Sequence, residues 1–327
     1  MTARERFLRC ALGQDVDRPP FWLYWSPWGR AWQRWCREGK PDSVTDHRSP
    51  WQPDAPPAQL PVNLGPCPGF DREVLAEDER AVTWVDPWGI VRRDLKDNES
   101  MSQFLSWPVR GRDDWERYRR ERLDPQHPDR LSGGWRDRAA EWTAAGTPIQ
   151  LCGWPVGIYG ALRWLLGDEE SLVAFYTDPE LVHDICTHIT DLLLTVFEQV
   201  VAAGVRVDVI HIWEDLCGRQ GPLMSPATWT QFVGPSYTRI AEFADRHHIP
   251  VISVDSDGDP RALVPVMMDH GVNYLYPLEV AAGCDVHEFR KRWPDLAVHI
   301  RALGNIVTSV NYRPGLPPLR TIQVSII

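Results

Sequence analysis

Between residues 147 and 304, short runs rich in valine and isoleucine alternate with stretches of helical pattern, and this rhythm constrains the fold more than any other feature of the chain. "PIQLCGW" (148–154), "VDVIHIW" (207–213), "IPVISVDSD" (249–257), "VNYLYPLE" (272–279) and "LAVHIRALG" (296–304) read as strands. The stretches between them read as helices: "VGIYGALRWLLG", then 179–203, 226–247, 260–270 and 285–293. Apolar strands separated by helix-length segments are the signature of parallel βα units.

The first 146 residues are less regular. A helix over 3–13 leads through "DRPP" to a strand, "FWLYW", and a helix over 29–38. Residues 40–70 are crowded with proline, which removes backbone donors and fixes φ, so regular structure is not expected there. "RAVTWVDPWGIVRRDL" (80–95) alternates on both sides of Asp86-Pro87-Trp88-Gly89 and predicts a hairpin. No linker divides the chain. The expectation is one α/β domain over 1–327, a (β/α)8 TIM-type barrel with an irregular Pro/Trp-rich insertion over 40–146 and an atypical tail over 306–327. A doubly wound sheet competes, but no glycine-rich phosphate turn follows any strand.

A net charge of −10 argues against nucleic acid as the main partner. No apolar run is read as long enough to span a bilayer, and "MTARERFLRCALG" reads as an amphipathic helix rather than a signal peptide. The seven cysteines are scattered and never in a C-x-x-C pair, which suggests reduced thiols in a cytoplasmic protein. The 17 tryptophans supply core and wall, and those near strand ends suit the flat sides of a pocket for a planar ligand.

Successive strands end in chemistry-bearing residues. The first regular strand of the series ends in Gly153-Trp154-Pro155, the next at His211, Glu214 and Asp215, then Asp255, Ser256 and Asp257, then Glu279. In a parallel barrel these ends share one face, where active sites lie. Alternatives stay open for single residues: His211 points inward or outward, and Glu214 serves the site or caps a turn. Asp259, followed by Pro260, reads as a helix N-cap and is set aside.

"HIWEDLCGRQGPLMSPATWTQFVGPSYTRI" resembles the uroporphyrinogen decarboxylase superfamily, which also contains corrinoid-dependent methyltransferases. "RERFLRCALGQDVDRPPFWLYW" is similar to the family's opening, and "PVISVDSDGD" and "GVNYLYPLE" sit where it places its next inner strands. The resemblance implies a (β/α)8 barrel and a carboxy-lyase of porphyrin-related metabolism, acting on an anionic tetrapyrrole or other multi-carboxylate molecule without a cofactor. His211, Glu214, Asp215, Asp255 and Asp257 would be catalytic. Arg30, Arg34, Trp154, Tyr159 and Glu279 would bind substrate. The methyltransferase branch would instead need a divalent metal on His211, Glu214, Asp255 and Asp257, and a corrinoid protein as partner. A homodimer and a non-catalytic tetrapyrrole- or corrinoid-binding barrel are further expectations.

Departures from the family pattern are plain. The arginine turn after the first strand reads Ser26-Pro27-Trp28-Gly29-Arg30, keeping one arginine. Tyr159 stands two residues short of the family's tyrosine, and Asp215 replaces its serine. Asp86 lies in the poorly matching region that would carry the family's aspartate. Ser253-Val254-Asp255 replaces the H-x-C of the zinc-binding branch. After "HIRALGNI" the closing unit is expected to be altered or shortened, with "TIQVSII" plugging the gap; exposed strand edges there would lower stability or promote self-association.

Overall fold

The computed structural model describes residues 1–22, 29–46, 48, 53–97, 101–131, 133–302 and 306–309. Strands β1 (Phe21–Trp22) and β2 (Ala58–Gln59) precede an antiparallel series, β3 (Glu73–Glu77), β4 (Ala81–Val85), β5 (Val91–Leu95) and β6 (Gln103–Ser106). Then come β7 (Ile149–Leu151), β8 (Val209–Trp213), and the small hairpin of β9 (Cys217–Gly218) and β10 (Gly221–Pro222). β11 (Val251–Asp255), β12 (Tyr274–Glu279), β13 (Ala297–Ala302) and β14 (Ile306–Ser309) complete the described strands.

The main sheet has the order β1-β14-β13-β12-β11-β8-β7-β2. The six strands β2, β7, β8, β11, β12 and β13 pair in parallel, as the alternation predicts. β14 is antiparallel to both β13 and β1, so β1 runs with the six and β14 runs against them. This corrects the expectation of eight parallel strands. The gap expected at the end of the sheet is bridged by β14, which pairs with β13 on one side and β1 on the other. "TIQVSII" lies outside the described residues.

No ladder joins β1 to β2 among the described residues, yet the sheet is strongly curled. Trp22 of β1, Gln150 of β7 and Pro57 beside β2 line one cavity. The Asp54 amide also donates to the Phe21 carbonyl at 2.6 Å.

Pleating sorts the side chains between two cores. Val209, Val251, Tyr274, Tyr276 and Ala297 face inward and pack with Phe7 and Trp22. Ile210, Ile212, Ile252, Val254 and Leu275 face outward into the helical layer. Burial on both faces explains why these strands read as continuous apolar runs. It also settles the orientation of His211, which shares the inward register of Val209.

Helix Ala3–Ala11 closes the end of the sheet where the strands begin. Thr2 and Glu5 form its capping box, and Phe7 fills the interior. The guanidinium of Arg4 makes three contacts of 2.7–3.0 Å to the Asp208 carboxylate, which also accepts from the Ile149 amide at 2.9 Å. Arg6, 6% exposed, binds Asp17 and Asp54.

The helix read over 226–247 is two helices, Pro226–Phe232 and Gly234–Arg246. Pro235 breaks it, because its ring collides with the carbonyl four residues earlier and it has no amide to donate. Within the expected irregular insertion, β3–β6 form an ordered antiparallel sheet around the anticipated hairpin. Strand β3 is exposed along its whole length and gives no apolar periodicity to read. This sheet meets the main one through stacked rings: Trp88 on Trp164 at 6.2 Å and Trp164 on Trp213 at 5.5 Å.

Helix Pro179–Ala202 is, by length and composition, apolar enough to cross a membrane, a feature the sequence reading did not register. Leu181, Ile185, Leu192, Val196 and Phe197 on it are buried in the outer core, as in a core helix.

Helix Ile158–Leu166 presses directly on the end of β8. A Cβ built on Gly157 would stand 1.8 Å from the Trp213 carbonyl oxygen, and one on Gly160 2.5 Å from it. In an ordinary helix Gly→Ala stabilises by up to about 1 kcal/mol. Here Gly160→Ala is expected to destabilise by about 1–3 kcal/mol, as overpacking does. Calorimetry checks this, and a melting temperature at or above that of the parent protein would contradict the close approach.

Candidate active site at the strand ends

His211 and Ser253 are cross-strand partners on β8 and β11, and Asp255 lies one inward position beyond Ser253. The His211 Nδ1 is 2.9 Å from Ser253 Oγ, and its Nε2 is 3.6 Å from Asp255 Oδ2. The latter contact is too long for a hydrogen bond but close enough for an ion pair. Tyr276 on β12 meets the imidazole edge-on, with ring centroids 5.7 Å apart. On the side facing the N-terminal helix, His211 and Ser253 border a cavity of about 30 Å³ that Phe7, Trp22, Pro57, Gln150, Val209, Tyr274 and Tyr276 complete. On the opposite side the Asp255 carboxylate is 15% exposed, at the mouth.

Serine, histidine and aspartate in sequence suggest nucleophilic catalysis, but the geometry is wrong for it. Ser253 is 2% exposed, and its hydroxyl borders a chamber with room for one or two waters, where no acyl group fits. The more open side of the group is the Nε2–Asp255 side, where the Asp255 carboxylate is 15% exposed.

The structure separates the other expected residues from this group. Glu214 is fully buried and turned into the start of helix Ile158–Leu166. Its Oε1 accepts from the Ile158 amide at 3.1 Å and from the Tyr237 hydroxyl at 2.8 Å, and its Oε2 from the Gly160 amide at 2.9 Å. A carboxylate here satisfies amides that a helix leaves unpaired at its first turn. Glu214 still acts on the site indirectly, because its amide and that of Asp215 both donate to the Asp255 carbonyl at 2.9 Å.

Asp215, held at φ 52°, pairs with Arg163 at 2.8 Å. Arg163 also binds Asp168 and lies over the Trp213 ring. Glu279 accepts from the Gly258 amide at 2.8 Å and so holds the turn after β11. Asp257 lies half-buried in that same turn. Asp86 is taken up by its hairpin, accepting from the Trp88 and Ile90 amides at 2.9 Å and pairing with Arg92.

Trp154 is 55% exposed, whereas Tyr159 is fully buried and stacks on Phe175. Arg30 is exposed in the first turn of helix Gly29–Arg37, which has no buried residue, and Arg34 pairs with Glu38. Ser26, Pro27 and Trp28 of the preceding turn lie outside the described residues. Sequence reasoning missed Ser253, Tyr276, Arg163 and Tyr237. Ser253 was within reach, because two residues before Asp255 on a strand means the same face. Tyr237 and Arg163 lie on helices, and nothing in their spacing points at Glu214 or Asp215.

His211, Glu214, Asp255 and Asp257 do not fit a metal. Both oxygens of Glu214 are taken up at the helix start, and among the described residues no group of three or more His, Cys, Asp or Glu side chains converges as a ligand set.

Burial pushes the Glu214 carboxyl up to about 7, against the opposing hydrogen bonds from Gly160, Tyr237 and Ile158. Its usual value is 4.5, so between pH 4.5 and 7 the folded protein holds this proton more firmly than the unfolded chain does. The Glu214 contribution therefore falls as pH rises through that window, by up to about 3 kcal/mol. Denaturant unfolding of the parent protein and Glu214→Gln across this range should show the decline flattened in the variant. Identical slopes would mean that Glu214 does not titrate there.

Residues 148–307 match the family model described as uroporphyrinogen decarboxylase (URO-D). Among curated proteins no match is found. A methyltransferase from Methanosarcina mazei superposes with a TM-score of 0.51 at 16% sequence identity, over 85% of this chain and 76% of that one. At that identity the likeness bears on the fold alone. The resemblance to the uroporphyrinogen decarboxylase family is thereby shown over residues 148–307, the stretch that carries strands β7 to β13 and the His211–Asp255 group.

Proposed function

We propose that the protein is a carboxy-lyase of this superfamily, acting at the mouth of a barrel-like sheet on a small molecule that bears carboxylates. The observation that carries the reading is the His211–Asp255 pair, 3.6 Å apart on adjacent strands and backed by Ser253. Loss of carbon dioxide from a carboxylate leaves an electron pair on carbon, and one proton must replace the departing group. An imidazole with a carboxylate beside it can supply such a proton, and here both are held by two core strands.

The chamber beneath His211 is too small for a substrate, so the reacting molecule lies on the Asp255 side. The mouth is rich in acceptors. Asp215 is neutralised by Arg163, while Asp255 and Asp257 stand near the opening. Carboxylates there suit a ring whose N–H groups donate and which gains positive charge on protonation, as a pyrrole does. A substrate's own carboxylates need a cation, and Arg30, exposed on helix Gly29–Arg37, is the proposed clamp. The seven free cysteines accord with a reducing, cytoplasmic setting.

Methyl transfer to or from a corrinoid protein is the second reading, supported by the activity named for the structural neighbour. Its metal has no ligand set among the described residues.

Incubation with uroporphyrinogen, and separately with methyl donors and a cob(I)alamin protein, followed by product mass, tests the two. Carbon dioxide loss is expected, with kcat reduced about 10²–10⁴-fold in His211→Asn and Asp255→Asn and a raised KM in Arg30→Ala. Full activity in both mouth variants, or methyl transfer alone, would remove the decarboxylase reading.

A further inference from the structure

We infer that Arg163 is a positioning residue for the candidate site: it holds the turn after β8 in the conformation that fastens the end of β11, where Asp255 stands. The inference rests on the proposed function only for its effect on turnover. Three observations support it: the destination of the amides of residues 214–216, the backbone of Asp215, and the double grip of Arg163 on that residue.

Three successive amides leave the end of β8 for one target. Those of Glu214 and Asp215 both donate to the Asp255 carbonyl at 2.9 Å, and that of Leu216 donates to Ser256 Oγ at 2.9 Å. In an extended strand successive amides point to opposite sides, so three in a row cannot serve one neighbour. The chain must leave the extended form here, and Asp215 does so in the left-handed region, at φ 52°. A residue with a Cβ is strained there, although aspartate tolerates it better than most.

Arg163 supplies the hold. Its Nη1 donates to the Asp215 carbonyl at 3.2 Å and to Asp215 Oδ2 at 2.8 Å, gripping main chain and side chain of the same residue. Its Nε donates to Asp168 at 2.6 Å, and the guanidinium lies over the Trp213 ring. The grip has a firm base. Helix Ile158–Leu166 presses on the Trp213 carbonyl at Gly160, one turn before Arg163, and receives the Glu214 carboxylate at its start. With two carboxylates against one guanidinium, Arg163 has no charge left over for a substrate anion. Its role is mechanical: the bracket of three amides fixes the end of β11, and with it the Asp255 side chain that faces His211 Nε2.

The test combines amide hydrogen exchange, which needs no substrate, with turnover of uroporphyrinogen. In Arg163→Met the amides of residues 214–216 should lose protection about tenfold relative to the parent protein, while those within β8 keep theirs. Turnover should fall about tenfold in kcat at unchanged KM, less than the ~10²-fold of a group that transfers the proton itself. Adding Asp215→Gly to Arg163→Met should restore both, because glycine takes a positive φ at no steric cost. Adding Asp215→Ala, which removes the same charge but keeps a Cβ, should restore neither. Equal recovery with alanine and glycine would reduce the pair to charge neutralisation and overturn the inference, as would unchanged protection in Arg163→Met. Should Arg163→Met fail to fold, the single variants decide: the three amides must be less protected in Asp215→Ala than in Asp215→Gly, and equal protection overturns the inference. If the exchange pattern is found but uroporphyrinogen loses no carbon dioxide, the proposed function fails while the positioning of Asp255 by Arg163 stands.

Discussion

A single buried carboxylate ties the working parts together. Glu214 reaches into the start of helix Ile158–Leu166 with its side chain and holds the Asp255 carbonyl with its amide. The helix can come near enough only because Gly157 and Gly160 leave the Trp213 carbonyl room. Tyr237, from a helix packed behind, supplies one further donor. Strand β8, the end of β11 and two outer helices are thereby held to one another at the level where the candidate chemistry lies. Burying a carboxylate is unfavourable unless its oxygens are satisfied, and here three donors satisfy them.

Much of this was legible in the sequence. Valine- and isoleucine-rich runs separated by helix-length segments gave the parallel strands, because burial on both faces leaves no polar positions to confuse the pattern. The hairpin around Asp86 was legible from its turn chemistry. The acidic strand ends converge on one end of the sheet, but their side chains do not share one hollow. A sequence shows that Glu214 follows a core strand; it does not show that two glycines more than fifty positions earlier let a helix end sit on that carboxylate. Strand β2 escaped for a related reason, since two residues in a proline-rich stretch have no period, and only the edge of β7 recruits them.

The division of labour among the carboxylates follows from what each one meets. Asp215 finds a guanidinium, Glu279 a backbone amide in a tight turn, and Glu214 a helix start. Asp255 instead faces an imidazole whose other nitrogen is already engaged. Acidity at the strand ends is thus mostly structural, and Asp255 is the one member proposed for chemistry. Among the described residues the same sorting leaves no group of three or more His, Cys, Asp or Glu side chains converged as a ligand set, since both oxygens of Glu214 are taken up at the helix start.

The seal under the site comes from far away in the chain. Arg4 and Phe7 belong to the N-terminal helix, yet they are fastened to Asp208 and to the inner faces of β8, β11 and β12, two hundred residues on. That floor is laid only once the middle of the sheet exists to receive it, and contacts of such separation form slowly. Until then the imidazole has no floor beneath it, so a folding intermediate lacking this plug would contain every residue of the proposed catalytic group and still lack the packing that holds the group in place.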